Sequence, residues 1–564
     1  MKVYFEGFKI KTVIAVLLKF VEACFELLLP LLMVSLINDG ILLGNQNHVF
    51  KISIVMVLLT VFGYLASITC QYYASIIAQR VGGRIRLDIM QHLLKMDQGV
   101  RDQFDHSSMV IRTTTDVDRV QDMIARTIRL AVRAPMIIIG SVFAMYLLNP
   151  QLSMILLLSI PVFILVIALF MSLSVRYHKR VQTQWDAFTF KIREFLSGAR
   201  IIFAFNKSTQ EKEAMTSMSK ELGKNQSSLS LINSISSPLI AFMMNVLLIA
   251  LVYIGAIKVQ EGIMNSSQIL ALINYCTQIV LTLIVFMNLV MIFSKGYGSW
   301  GRIKEVLETD NVMDKSGHET IDNHDFNLEF IDVNFSYSGE NRRVLRDINF
   351  KMVSGQTLGI VGLTGSGKST LLKLIIRMYD AKSGSIAVNG RSIKDYDIQN
   401  LKSKVGYIAQ KPQFLSGNLQ DAIALDSEVD HEAYLKIAQG EDILNKGLDA
   451  KVERNANNFS GGQRQRISIA RQLAKKPNIL LFDDSFSALD TITDKSLRMA
   501  LDEVDGKLSK VIVSQRTSTI LNADNILVMD NGRISAQGNH QELLEMSDLY
   551  RKIHTLSNHE VVYD

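Results

Sequence analysis

The sequence predicts an α-helical membrane domain in the first part of the chain and an α/β domain in the second. Three observations support this division. The chain has 564 residues, of which 48% are hydrophobic, and a mean hydropathy of +0.19, more apolar than a soluble chain of this length. The long uncharged runs all precede residue 309, and the remainder has the mixed composition of a globular domain. Within that remainder, an apolar strand pattern passes through a glycine-rich turn into a helical pattern near residues 358–379. The expected organisation is a membrane domain over 1–308, a linker over 309–326 and the α/β domain over 327–564.

A hydrocarbon core about 30 Å thick requires about 20 apolar residues per spanning helix. Six segments qualify: 13–37, 50–79, 128–148, 152–175, 232–257 and 266–294. The first is too long for a secretory signal and lacks a small-residue cleavage site, so it is expected to remain as a helix. The connections 38–49 and 149–151 contain no Lys or Arg, and 258–265 has only Lys258. The connections 80–127 and 176–231 are strongly basic, from Arg80, Arg84 and Arg86 to Arg176, Lys179 and Arg180. Basic residues are retained on the cytoplasmic side, so both long connections and both termini are expected there, in a multi-pass protein of the cell membrane. Helical periodicity continues through these connections, predicting long cytoplasmic extensions whose turns fall at Phe104–Ser108 and around Phe205–Lys212.

Charges within spans are costly unless paired or wetted. Glu22 and Glu26 share one face of span 1, and Arg129 and Arg133 share one face at the start of span 3. They are candidates for a transport pathway, with pairing among themselves or snorkelling as the alternative. The formal charge of +6 comes from basic residues in the connections, so topology accounts for it without nucleic acid. Cys24, Cys70 and Cys276 all lie in apolar runs without paired spacing, which argues against disulfides and zinc.

In the second domain, the strand pattern LGIVG runs into Gly362, Leu363, Thr364, Gly365, Ser366, Gly367, Lys368, Ser369 and Thr370. This pattern binds phosphate: glycines open backbone N–H groups to oxygens, Lys368 reaches the β/γ-phosphates of ATP, and Ser369 faces Mg²⁺. An apolar strand further on ends in Asp483 and Asp484, a carboxylate position suited to the same Mg²⁺. Between these motifs, Ser460, Gly461, Gly462 and Gln463 precede a helical run, a helix N-terminus suited to an anion.

The order of phosphate loop, SGGQ, apolar strand with Asp, and Ser487-Ala488-Leu489-Asp490 resembles the ATP-binding cassette transporters. With six spans and two cytoplasmic projections ahead of it, the whole chain resembles an ABC exporter half-transporter of the multidrug type. The resemblance implies that Tyr337 stacks on adenine and that Gln410, rather than Gln413, contacts Mg²⁺ and the attacking water. It also implies that Ser460–Gln463 completes an ATP site in trans, and that Ser487–Asp490 crosses between two cassettes. Two positions depart from the family pattern: Asp484 stands where hydrolysing cassettes have Glu, and Gln515 where they have His. The shorter carboxylate is retracted by about 1 Å, which can cost about 100-fold in rate, and an amide cannot take up a proton as imidazole does. The chain is therefore expected to be the degenerate-site subunit of a heterodimeric exporter, its partner a half-transporter with Glu and His. The alternatives are a homodimeric exporter of lipid, peptide or other cargo, and an ATP-binding regulatory membrane subunit. Phe242, Met243, Met244, Tyr275 and Phe286 suggest hydrophobic or amphipathic cargo, cationic cargo included.

Overall fold

The computed structural model describes residues 2–310, 313, 315–321, 325–337, 343–424, 429–504 and 508–560. Part of the expected linker, residues 311, 312, 314 and 322–324, lies outside the described residues, as do 338–342 beside Tyr337 and the last four positions. The chain divides into two compact units, Met1–His92 with His106–Glu308 and Leu93–Asp105 with Thr309–Asp564.

Among the described residues six helices are long and apolar enough to cross a membrane, all in the first unit save the end of the second helix: Lys9–Ile41, Gln46–Lys95, Ser107–Leu148, Pro150–Ala204, Ser208–Gln260 and Ser266–Leu307. Hereafter they are spanning helices 1 to 6. Every backbone donor and acceptor in lipid must be satisfied locally, so only continuous helices fit these runs. The turn between helices 3 and 4 shows how little chain such a reversal needs. Extended Asn149 caps helix 4 by accepting from the amides of Gln151 and Leu152, and Pro150 occupies the first turn, where no amide is required. Helices 3 to 6 share a core of Met145, Leu152, Phe163, Leu251, Tyr275 and Ile279. Outside the spans, a fully buried Asp116 on helix 3 accepts from Ser299 Oγ at 2.9 Å and from Arg302 Nε at 2.8 Å on helix 6.

Helices 2, 4 and 5 run far beyond their apolar segments, as the periodicity predicts. The second turn, Phe205–Lys207, falls within the expected stretch. The first begins earlier than Phe104–Ser108 and overlaps it: helix 2 ends at Lys95, Asp97 is extended, a short helix forms at Gln98–Arg101, and the chain is non-helical again over 102–105. Leu93–Asp105 groups with the second unit because polar contacts hold it there. Asp97 pairs with Lys315 at 2.6 Å and accepts from the Met313 amide at 2.8 Å, and Tyr379 Oη donates to Asp102 at 2.6 Å.

The second unit holds two larger sheets and a two-stranded one, Gly417–Asn418 with Lys451–Val452. The six-stranded one has the order Arg533–Gly538, Asn525–Asp530, Thr357–Gly362, Ser509–Val513, Ile479–Asp483 and Val405–Ile408, parallel except for the first strand. The fully buried residues of Ile479–Asp483 and Ser509–Val513 identify central strands covered on both faces. The four-stranded sheet is antiparallel and contains Leu328–Phe335 and Leu345–Met352. The stretch expected as a linker is packed rather than free: Ile321 and Phe326 join this core, and Glu319 bridges to Tyr396.

Candidate functional site

The register of three parallel strands gathers the polar residues of the second unit. Ile408 lies beside Phe482, and Val513 lies beside Asp483. Two residues beyond these pairs, Gln410, Asp484 and Gln515 emerge side by side at the carboxyl ends of the strands, the usual place for a ligand in an open α/β sheet. Asp484 Oδ2 accepts from Gln410 Nε2 and from Gln515 Nε2, both at 3.2 Å. Burial pushes the Asp484 carboxyl above the ordinary carboxylate range despite these donors.

The adjacent strand Thr357–Gly362 delivers the phosphate loop. Gly367 begins the helix Lys368–Ile375 at φ 103°, and Gly365 stands at φ 82°; side chains rarely adopt either conformation. A Cβ on Gly365 would meet nothing within 4 Å, so the loop borders open space at the N-terminus of a helix. Lys368 is buried, and its ammonium donates to the carbonyls of Gly362 at 2.7 Å and Leu363 at 2.9 Å. Burial pushes its pKa below the ordinary lysine range. Ser366 Oγ is buried without a hydrogen-bond partner, a donor available to a phosphate oxygen. Ser369 Oγ donates to Asp483 Oδ1 at 2.6 Å, and Tyr407 Oη donates to Asp483 Oδ2 at 2.8 Å. Sequence inspection missed Tyr407; only its place three residues before Gln410 marked it.

These residues fit ATP and Mg²⁺. The glycine cradle, the buried ammonium and the orphaned hydroxyl suit a polyphosphate, and a hydroxyl beside a carboxylate suits a cation that keeps several waters and phosphate oxygens in its shell. Among the described residues no group of three or more His, Cys, Asp and Glu could hold a metal, so the donor set is that of a substrate-borne ion.

Tyr337 lies beside the loop: its hydroxyl is 3.1 Å from Thr370 Oγ1, and its ring meets Phe335 and Tyr379 edge-on. Gln413 is placed elsewhere, with its carbonyl accepting from Arg471 at 3.1 Å. Ser460 caps the helix Gly461–Leu473 in a capping box with Gln463, and Gln463 Nε2 also donates to Asp442 at 2.8 Å. A Cβ on Gly461 would meet nothing within 4 Å, whereas one on Gly462 would lie 3.3 Å from the Ala488 carbonyl. The helix Gly461–Leu473 thus packs on the Ser487–Asp490 turn, in which Ser487 Oγ donates to the Asp484 carbonyl at 2.7 Å, Leu489 is buried and Asp490 caps the next helix. Among the described residues no hydrogen bond joins Ser460–Gln463 to Gly362–Thr370.

In the membrane unit three of the four predicted charges, Glu22, Glu26 and Arg133, form a network with Lys19. Arg133 Nη2 donates to both oxygens of Glu26 at 2.9 Å, and its Nε lies 4.0 Å from Glu22. Lys19, not anticipated although it lies three residues before Glu22, pairs with that carboxylate at 2.6 Å. Arg129 donates to Ser75 Oγ at 2.6 Å. Tyr275 is a core residue rather than a pathway one, fully buried with its hydroxyl donating to the Leu27 carbonyl at 2.6 Å. Phe242 is exposed.

The fold and site together define a membrane-spanning unit fused to a phosphate-loop ATPase. Residues 12–283 match the ABC transporter transmembrane region, and residues 345–487 match the ABC transporter family. The chain is 33% identical over 549 residues to the uncharacterized ABC transporter ATP-binding protein YfiB of Bacillus subtilis (strain 168), covering 96% of this chain and 95% of that relative. It is 27% identical over 563 residues to an ATP-dependent lipid A-core flippase of Idiomarina loihiensis, covering 98% of this chain and 96% of the flippase. A solved bacterial Atm1-family ABC exporter with ATP bound shares the fold at a TM-score of 0.80 and 20% identity, over 97% of this chain and 98% of that one. The chain belongs to the ABC transporter family, and it is an exporter that couples ATP hydrolysis to transport.

Proposed function

We propose that this chain is one subunit of a heterodimeric exporter of hydrophobic or amphipathic compounds, of the multidrug type, and that it contributes the degenerate ATP site. One observation carries the proposal: Asp484 and Gln515 occupy the positions of the family's Glu and His, and Asp484 accepts from both Gln515 and Gln410. Bound Mg²⁺ would screen the β- and γ-phosphates and hold them in register. Lys368 would exchange its two carbonyl acceptors for phosphate oxygens, and Ser369 and Asp483 would hold the ion. Tyr337 offers a face for adenine. Asp484, one methylene short, holds the attacking water poorly, so nucleotide is retained more than it is turned over. The intact Ser460–Gln463 would complete the competent site, whose Glu and His come from the partner. Both termini and the cassette lie on the cytoplasmic side, by the distribution of Lys and Arg.

A homodimeric lipid exporter is the second reading, favoured by the likeness to the lipid A-core flippase. One experiment separates them: ATPase of the purified chain alone and of the chain co-expressed with a half-transporter carrying Glu and His. The proposal expects turnover only in the pair. Substrate-stimulated hydrolysis by the chain alone, at about 1 s⁻¹ or faster, would overturn it.

A further inference from the structure

The strand Val405–Ile408 and its continuation supply a donor to each of the two carboxylates at the end of the neighbouring strand. Tyr407 Oη donates to Asp483 Oδ2 at 2.8 Å, and three residues further on Gln410 Nε2 donates to Asp484. The register makes the first contact possible: the two strands are parallel with Tyr407 beside Leu481, and side chains two apart on a strand share a face, so Leu481 and Asp483 both lie on the side of Tyr407. The ring of Tyr407 packs against the core that includes Val405, Leu481 and Leu371, which anchors its hydroxyl. Asp483 is buried, and its other oxygen, Oδ1, accepts from Ser369 Oγ at 2.6 Å. The last torsion of an aspartate is otherwise broad. Here a donor on an anchored ring fixes it, with Oδ2 turned to Tyr407 and Oδ1 to Ser369.

Divalent cations differ in what they ask of a carboxylate. Mg²⁺ keeps several waters and takes few protein oxygens in a strict octahedral shell, whereas the larger Ca²⁺ takes six to eight oxygens and readily uses both oxygens of one carboxylate. A phenol keeps its proton at neutral pH and donates, so Oδ2 of Asp483 is engaged by Tyr407 and Oδ1 is the oxygen left on the Ser369 side. We propose that Tyr407 is a positioning residue that sets the metal preference of this ATP site: by holding Oδ2 it restricts Asp483 to one oxygen and so favours Mg²⁺ over Ca²⁺. This inference rests on the metal-holding role proposed above for Ser369 and Asp483, and adds the selectivity and the residue that confers it.

The test is equilibrium binding of a fluorescent, non-hydrolysable ATP analogue to the full chain in nanodiscs, with saturating Mg²⁺, with saturating Ca²⁺ and with EDTA. It requires neither hydrolysis nor a partner. The parent should bind more tightly with Mg²⁺ than with Ca²⁺. Tyr407→Phe, which keeps the ring and removes the donor, should narrow that ratio about fivefold, the worth of one hydrogen bond. The change should come from tighter binding with Ca²⁺, while binding in EDTA stays within twofold of the parent. Equal affinity with the two ions in the parent, an unchanged ratio in Tyr407→Phe, or the same loss under all three conditions would each overturn the proposal, the last by showing a purely structural role. Parent binding that is indifferent to any divalent ion would instead defeat the metal-holding role of Ser369 and Asp483 on which the proposal rests, so the two failures are distinguishable. If Tyr407→Phe does not fold, a fluorotyrosine at position 407 decides: its stronger O–H donor should widen the ratio, and an unchanged or narrowed ratio refutes the assignment.

Discussion

Lengthening the carboxylate at residue 484 and restoring an imidazole at 515 should turn a weak ATP site into a competent one. In the structure Asp484 Oδ2 lies 3.2 Å from both Gln410 Nε2 and Gln515 Nε2, at the long end of N–H···O bonds. The carboxylate is therefore held back toward the strand ends between two amides. Adding one methylene extends its reach by over about 1 Å, a displacement worth about 100-fold in rate when it separates productive from unproductive placement of water. That factor corresponds to about 2.7 kcal/mol of barrier. Because Ser460–Gln463 is intact, a homodimer of the Asp484→Glu, Gln515→His variant carries every required element. Steady-state phosphate release from the variant, purified alone in nanodiscs, should exceed that of the parent by tens of fold and up to about 100-fold, with Lys368→Ala as the background control. Gln515→His alone should change little, since the amide already donates a hydrogen bond. Rates within twofold of the parent, with nucleotide binding intact, would show that carboxylate reach is not what limits this site.

Other perturbations test other parts of the structure. Lys368→Ala should weaken binding of a fluorescent ATP analogue about tenfold to a hundredfold, because it removes a charge-assisted contact to phosphate. Burial raises the Asp484 pKa, so the folded chain keeps the proton through a pH window in which the unfolded chain has lost it, and stability falls as pH rises through that window. Asp484→Asn removes this penalty; its unfolding temperature should exceed the parent's near about pH 8, and the difference should shrink as the pH drops through the window. A lower unfolding temperature at the higher pH would contradict the assignment. Arg302→Met leaves Asp116, fully buried, without its bidentate partner; discounted for the partly exposed guanidinium, the cost should be about 2–3 kcal/mol. A fall of several degrees in the unfolding temperature, smaller for Arg302→Lys, is the expected result.

Sequence alone determined the features that depend on local spacing. Apolar length identified six helices, because lipid admits no other backbone arrangement for such runs. The glycine spacing before Lys368 identified the phosphate loop, because only that backbone opens its amides to an anion, and the asymmetry of Lys and Arg supported one orientation. Tertiary structure decided what depends on neighbours distant in the chain. Strand register, invisible along the sequence, brought Gln410, Asp484 and Gln515 to one point and set Tyr407 against Asp483. The connection between helices 2 and 3 opens after Lys95, ahead of Phe104–Ser108, where Asp97 finds its partner in Lys315, more than two hundred residues away. The same holds in the membrane. Spacing placed Glu22, Glu26, Arg129 and Arg133 on helix faces, but which charges cancel depends on which helices meet, and only that arrangement paired Glu26 with Arg133.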